Sequence, residues 1–111
     1  MLVRGTSVVR QPTAHGYSKR VFACAGLVPH ITQLAVAELP CGAVVEDHVH
    51  PTMWEVFYSL EGEATYIIEG NAYPVCPGDL VIVPPAVRHA ILVGSHTHRA
   101  FYFGLESAAE R

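Results

Sequence analysis

The stretch Gly42-Ala-Val-Val-Glu-Asp-His48-Val-His50-Pro-Thr-Met-Trp-Glu55 decides how this chain is read. In an extended strand successive side chains point to opposite faces, so His48 and His50 present both imidazoles on one side. Pro51 cannot continue a ladder, and a tight reversal through Pro51 and Thr52 brings the apolar run from Glu55 to Leu60 back beside the first strand. Glu55 then starts the returning run, close to both histidines. Three candidate metal ligands need one hairpin.

Outward from that stretch the glycines and prolines have a definite rhythm. Gly42, His48, His50, Glu55 and Gly62 form one motif over 42–62, and Gly78, Pro84 and His89 fall within a second over 78–93. This spacing resembles the two motifs of the small single-domain cupins of the RmlC-like, conserved-barrel type. Ala86 stands where that family usually has a second glycine, and Val93 where it often has asparagine. The resemblance implies an all-β double-stranded β-helix, the jelly-roll barrel. It also implies that His89 joins His48, His50 and Glu55 as the fourth metal ligand.

Composition agrees with a folded domain and narrows the partners. At 111 residues, half of them hydrophobic and 15% charged, the chain reads as a single domain over 1–111 with one core. Its net charge of −3, with seven Lys and Arg in no run, predicts no nucleic-acid partner. No apolar run approaches the ~18 residues of a membrane span and no signal-peptide core is evident, so a cytoplasmic location without membrane association is expected. Cys24, Cys41 and Cys76 are an odd number at no metal-ligand spacing. At least one thiol is therefore free; all three are read as small buried or half-buried hydrophobes, with a catalytic thiol left open.

Short runs rich in Val, Ile, Tyr and Phe predict strands near 20–25, 31–38, 43–49, 55–61, 64–69, 72–75, 80–84, 88–93 and 98–103. Gly70-Asn71 is expected to form a two-residue hairpin turn. Residues 1–12, with Leu2, Val3, Val8 and Val9, are expected to add an edge strand to this barrel or to a partner, and 105–111 to form a turn or tail. Many short strands without helical period fit a jelly roll.

Three imidazoles and a carboxylate form an N3O set that suits Fe(II) or Mn(II), with Zn(II), Ni(II) and Cu(II) as alternatives, better than Ca or Mg. Alternation from Glu55 puts Phe57 and Ser59 on the site face, and alternation from His89 adds Ile91. Phe101 is expected to contribute a further wall of the substrate pocket. Trp54 and Tyr58 have the opposite parity and are expected in packing or a subunit interface. Arg20, Gln33 and Arg88 are candidates for orienting a substrate carboxylate. His15, His30, His96 and His98 are read as lying outside the site, with His96-Thr97-His98 a solvated loop entering the last strand. The leading functional expectation is a metal-dependent oxygenase acting on a small aromatic or enolic substrate, with Glu55 as the candidate catalytic residue. A non-redox isomerase, lyase or cyclase and a non-catalytic metal- or ligand-binding domain stay open, and a homodimer is expected.

Overall fold

The computed structural model describes residues 1–106. A short 3-10 turn, Gly5–Ser7, precedes ten strands: β1 Arg10–Pro12, β2 Ser18–Ala23, β3 Ile31–Leu39, β4 Val44–His48, β5 Met53–Glu61, β6 Ala64–Ile68, β7 Asn71–Val75, β8 Leu80–Val83, β9 His89–Val93 and β10 His98–Glu106. They form a six-stranded sheet in the order β1-β2-β3-β10-β5-β8 and a four-stranded sheet in the order β4-β9-β6-β7, with every pairing antiparallel. This is the expected double-sheet jelly roll. No helix among the described residues is long and apolar enough to cross a membrane.

The strand alternation is the physical source of the core. Along β5 Glu55, Phe57 and Ser59 are buried whereas Trp54, Tyr58 and Leu60 are exposed, and along β10 His98, Ala100 and Tyr102 are buried. The inward rows meet in a cluster where Phe57 packs edge-on against Tyr66, with ring centroids 5.5 Å apart, and stacks on Tyr102 at 5.7 Å. Aromatic pairs in these arrangements add about 0.5–1.5 kcal/mol beyond their burial.

Cys24, Cys41 and Cys76 are all exposed and not buried hydrophobes, and four further local expectations need correction. The two-residue turn between β6 and β7 is Glu69-Gly70, both at positive φ, because Asn71 already pairs with Ile68 in the ladder. Residues Leu105 and Glu106 continue β10, paired with Trp54 and Met53, and 107–111 lie outside the described residues. The segment through Pro51 and Thr52 is not a hairpin: β4 pairs with β9 while β5 pairs with β8 and β10, so it crosses from one sheet to the other. The fourth concerns His98, which is fully buried at the start of β10 and is not in a solvated loop.

His98 earns that burial through its partners. Its Nδ1 lies 3.2 Å from the Gly62 carbonyl, which can only accept, so Nδ1 carries the proton and Nε2 accepts from the Tyr66 hydroxyl at 2.8 Å. Gly62 has φ +71, and a Cβ there would run into the Thr97 carbonyl, so only glycine brings this backbone under β10. Burial holds the His98 pKa below its ordinary value of 6.5, and burial raises that of Tyr66. The folded state therefore binds fewer protons than the unfolded state just below pH 6.5, and folding stability declines as pH falls through that window. Thermal melts across pH 4–8 are expected to show a lower Tm on the acid side, with a shallower slope in His98→Gln.

Candidate metal centre

The site is assembled at the end of the barrel where the two sheets part. His48 closes β4 and pairs directly with His89, which opens β9, after a register shift between Val45 and His48. His50 lies in the crossing segment, and its carbonyl accepts the Ala86 amide at 2.7 Å, which ties that segment to the Pro84-Pro85-Ala86 turn ahead of β9. Ala86 has φ +65, so the position where glycine is usual does adopt the left-handed region, at a cost of about 1 kcal/mol for a residue with a Cβ. Glu55 comes from the other sheet, flanked by Val83 on β8 and Gly104 on β10. One ligand atom from each of His48, His50, Glu55 and His89 lies within 4.8 Å of the other three.

Hydrogen bonds prepare the imidazoles for a cation. Nδ1 of His48 lies 2.8 Å from the Glu46 carbonyl and Nδ1 of His89 lies 3.0 Å from the Val87 carbonyl. A carbonyl only accepts, so both Nδ1 atoms carry hydrogen and both Nε2 atoms are left to face the site. The sequence alone does not reveal these partners. Nε2 of His89 and of His50 approach Glu55 Oε1 at 3.1 and 3.4 Å, and His50 Nε2 is buried without a hydrogen-bond partner. Two nitrogen lone pairs facing a carboxylate repel unless a proton or metal ion stands among them.

The titration behaviour follows from the same geometry. Burial lowers the His48 pKa, and His89 and His50 add to the effect. For His89 burial also pushes downward, but the hydrogen bond to Glu55, the Val87 carbonyl and the Glu55 charge outweigh it, and the pKa rises. A positive charge is thus favoured beside Glu55. Orphaned His50 Nε2, the fixed tautomers and the N3O donor set all fit a divalent transition-metal ion.

A cavity of about 520 Å³ opens onto this cluster. Phe57 and Ile91 line it, together with Val45 and Met53. Ser59 is buried deeper, its hydroxyl without a partner, and does not line the cavity. Phe101 lies on the outer face of β10, because inward parity there belongs to Ala100 and Tyr102. Tyr102 takes the place expected of Phe101, and a register of β10 counted from Ala100 would have shown it. The sequence reading also missed Tyr17, Lys19 and His15, which line the same cavity. They arrive on the β1–β2 hairpin, which pairs within this chain, and the His15 ring stacks on His48 with centroids 5.7 Å apart. Of the three expected carboxylate-orienting residues Gln33 lines the cavity, whereas Arg20 donates to the Gly5 carbonyl and Arg88 pairs with Asp47 at 2.7 Å.

The family model described as Cupin domain matches residues 35–105, more than half of the chain and all four clustered ligands. The chain belongs to the cupin family. It is 37% identical over 60 residues to quercetin 2,3-dioxygenase of Bacillus subtilis, covering 54% of this chain and 18% of the relative. It is 34% identical over 58 residues to an uncharacterised protein of Methanocaldococcus jannaschii, covering 52% of this chain and 46% of the relative. This cupin chain thus spans less than half the length of either. Among solved structures, a predicted oxalate decarboxylase from Thermotoga maritima superposes with a TM-score of 0.84 at 19% identity, over 96% of this chain and 100% of that one. The polyketide cyclase RemF of Streptomyces resistomycificus superposes with a TM-score of 0.81 at 19% identity, over 95% and 78%. These two likenesses concern the fold.

Titration of the metal-free cupin with Zn(II) or Co(II) is expected to give one ion per chain. His48→Ala and His89→Ala are each expected to weaken binding by at least about 100-fold without loss of the β-sheet circular dichroism spectrum. Because ligands must be deprotonated, affinity should fall as acid protonates His89, beginning above its ordinary pH range.

Proposed function

We propose that this cupin holds a divalent transition metal, Fe(II) or Mn(II) by preference, through His48, His50, Glu55 and His89, and acts as a dioxygenase on a small organic substrate. The observation that carries this reading is the N3O cluster facing a cavity whose deeper walls are Phe57 and Ile91. The local identity to a quercetin 2,3-dioxygenase supports it. A bound ion would supply Lewis acidity, and with a redox-active metal electron transfer, to a substrate oxygen and to O₂.

The chain's own residues have separate tasks in this reading. Phe57 and Ile91 present flat apolar surface to an aromatic or enolic ring and exclude water from it. The Glu46 and Val87 carbonyls hold the imidazoles in one tautomer, so the ligand nitrogens need no rearrangement. Glu55 lies against His89 and His50, where its carboxylate can take a substrate proton while the imidazoles neutralise the remaining charge.

Elemental analysis of untagged protein purified without chelator, with oxygen uptake on a panel of flavonols, catechols and small enols, tests the assignment. Stoichiometric iron or manganese with substrate-dependent uptake is the expected result. Zinc with anaerobic turnover of the same panel would replace it by an isomerase, lyase or cyclase activity. Metal without any turnover would replace it by a binding domain.

We also propose that the chain is a homodimer through the outer face of the larger sheet. Cross-strand pairing aligns Phe101, Tyr58 and Leu80 in one row and Phe103, Val56 and Ile82 in the next. Tyr58, Leu80 and Ile82 are 43, 57 and 52% exposed, and β8 is a sheet edge. Apolar surface of this continuity is usual at interfaces. Light scattering is expected to give twice the 12.1 kDa chain mass, and Leu80→Glu with Ile82→Lys the monomer.

A further inference from the structure

Beside Phe57, on which Tyr102 stacks, the cavity lining turns polar, and its hydrogen bonds have a direction. Lys19 Nζ donates to Gln33 Oε1 at 3.0 Å. An ammonium group cannot accept, so the amide oxygen must face Lys19 and the amide nitrogen must face the other way. There it donates to the Tyr102 hydroxyl oxygen at 3.3 Å. The Tyr102 hydroxyl is hydrogen-bonded in turn to the Tyr17 side chain. Its neighbour Tyr17 brings a second hydroxyl to the same wall. Lys19, with two further N–H groups, is the one Lys or Arg lining this cavity among the described residues. The wall is therefore a set of donors backed by a cation, and the amide orientation is forced.

Such a wall is a poor match for a hydrocarbon and a good match for an anionic oxygen. A carboxylate or ionised enol would take donors from Lys19 and from the remaining proton of the Tyr17–Tyr102 pair at once. The adjoining surface of Phe57 and Ile91 suits the ring of the same molecule. We propose that Lys19 and the Tyr17–Tyr102 hydroxyl pair form an acid-recognition subsite, so that the substrate class of this cupin is small planar organic acids. Their anionic oxygen docks on the β2–β3–β10 wall while the ring lies on Phe57 and Ile91. Gln33 acts as a positioning residue that sets the polarity of both donors. This inference rests on reading the cavity as the substrate site.

Binding of benzoate and of its neutral isostere benzamide to metal-free protein, followed by NMR chemical-shift titration, tests the subsite without requiring turnover. Benzoate is expected to bind at least about tenfold more tightly than benzamide, as hydrogen bonds to a charged group are the stronger ones. Lys19→Met and Tyr102→Phe are each expected to remove most of that preference, weakening benzoate more than benzamide, while zinc stoichiometry stays unchanged. Lys19 is half-buried, so its replacement leaves the core intact even if the Tyr102 variant does not fold. Equal affinity for the two probes, no benzoate binding, or an undiminished preference in Lys19→Met would overturn the subsite. Loss of zinc binding in the histidine variants bears on the metal centre alone, so the two readings fail separately.

Discussion

Glu55 is an acid placed where the two sheets part, with imidazoles from β4, β9 and the crossing segment turned toward it. A carboxylate taken out of water must be paired, because an unpaired buried charge is among the most costly features a fold can carry. The three histidines supply that pairing in either of two forms, as a protonated His89 or as ligands to a shared ion. The crossing through Pro51, the left-handed Ala86 and the Ala86–His50 hydrogen bond all serve to keep these groups together. Strain at Ala86 is stored beside the site and offset by the surrounding β-structure.

Chemical contrast across the cavity arises from the origin of its walls. The deeper wall comes from barrel strands whose inward residues are also core residues, so it is apolar. The polar part of the lining comes from the N-terminal hairpin and from β3, where Lys19, Gln33 and Tyr17 are half-buried and can remain polar. One small domain thereby offers a metal-binding cluster, a flat apolar face and a donor face within a single cavity of about 520 Å³. Sites of this kind, apolar with a few converging polar groups, hold small ligands in a fixed orientation.

At the other end of the barrel a second buried histidine has the opposite purpose. His98 spends both ring nitrogens on Gly62 and Tyr66 and has none left for a ligand. Its spacing from His96 repeats that of His48 and His50, but its chemistry is structural. The difference lies in the partners: carbonyl and carboxylate at His89, carbonyl and phenol at His98.

Strand alternation was enough to put His48 and His50 on one face and to give the inward parity of Glu55, Phe57 and Ile91, whereas His89 as a fourth candidate ligand came from the resemblance of the motifs to the cupins. The parities are consequences of a two-residue period, a local property of the chain. Tertiary structure alone decided that Pro51 carries the chain between sheets and not around a hairpin, since strand partners are chosen by long-range packing. It also decided that His98 is buried and that Tyr102, not Phe101, faces the cavity, because the phase of β10 is set by its pairing with β3 and β5. Lys19, Tyr17 and Gln33 lie far from Glu55 in sequence and share no motif with it. Only closure of the N-terminal hairpin over the barrel brings their donors to the site.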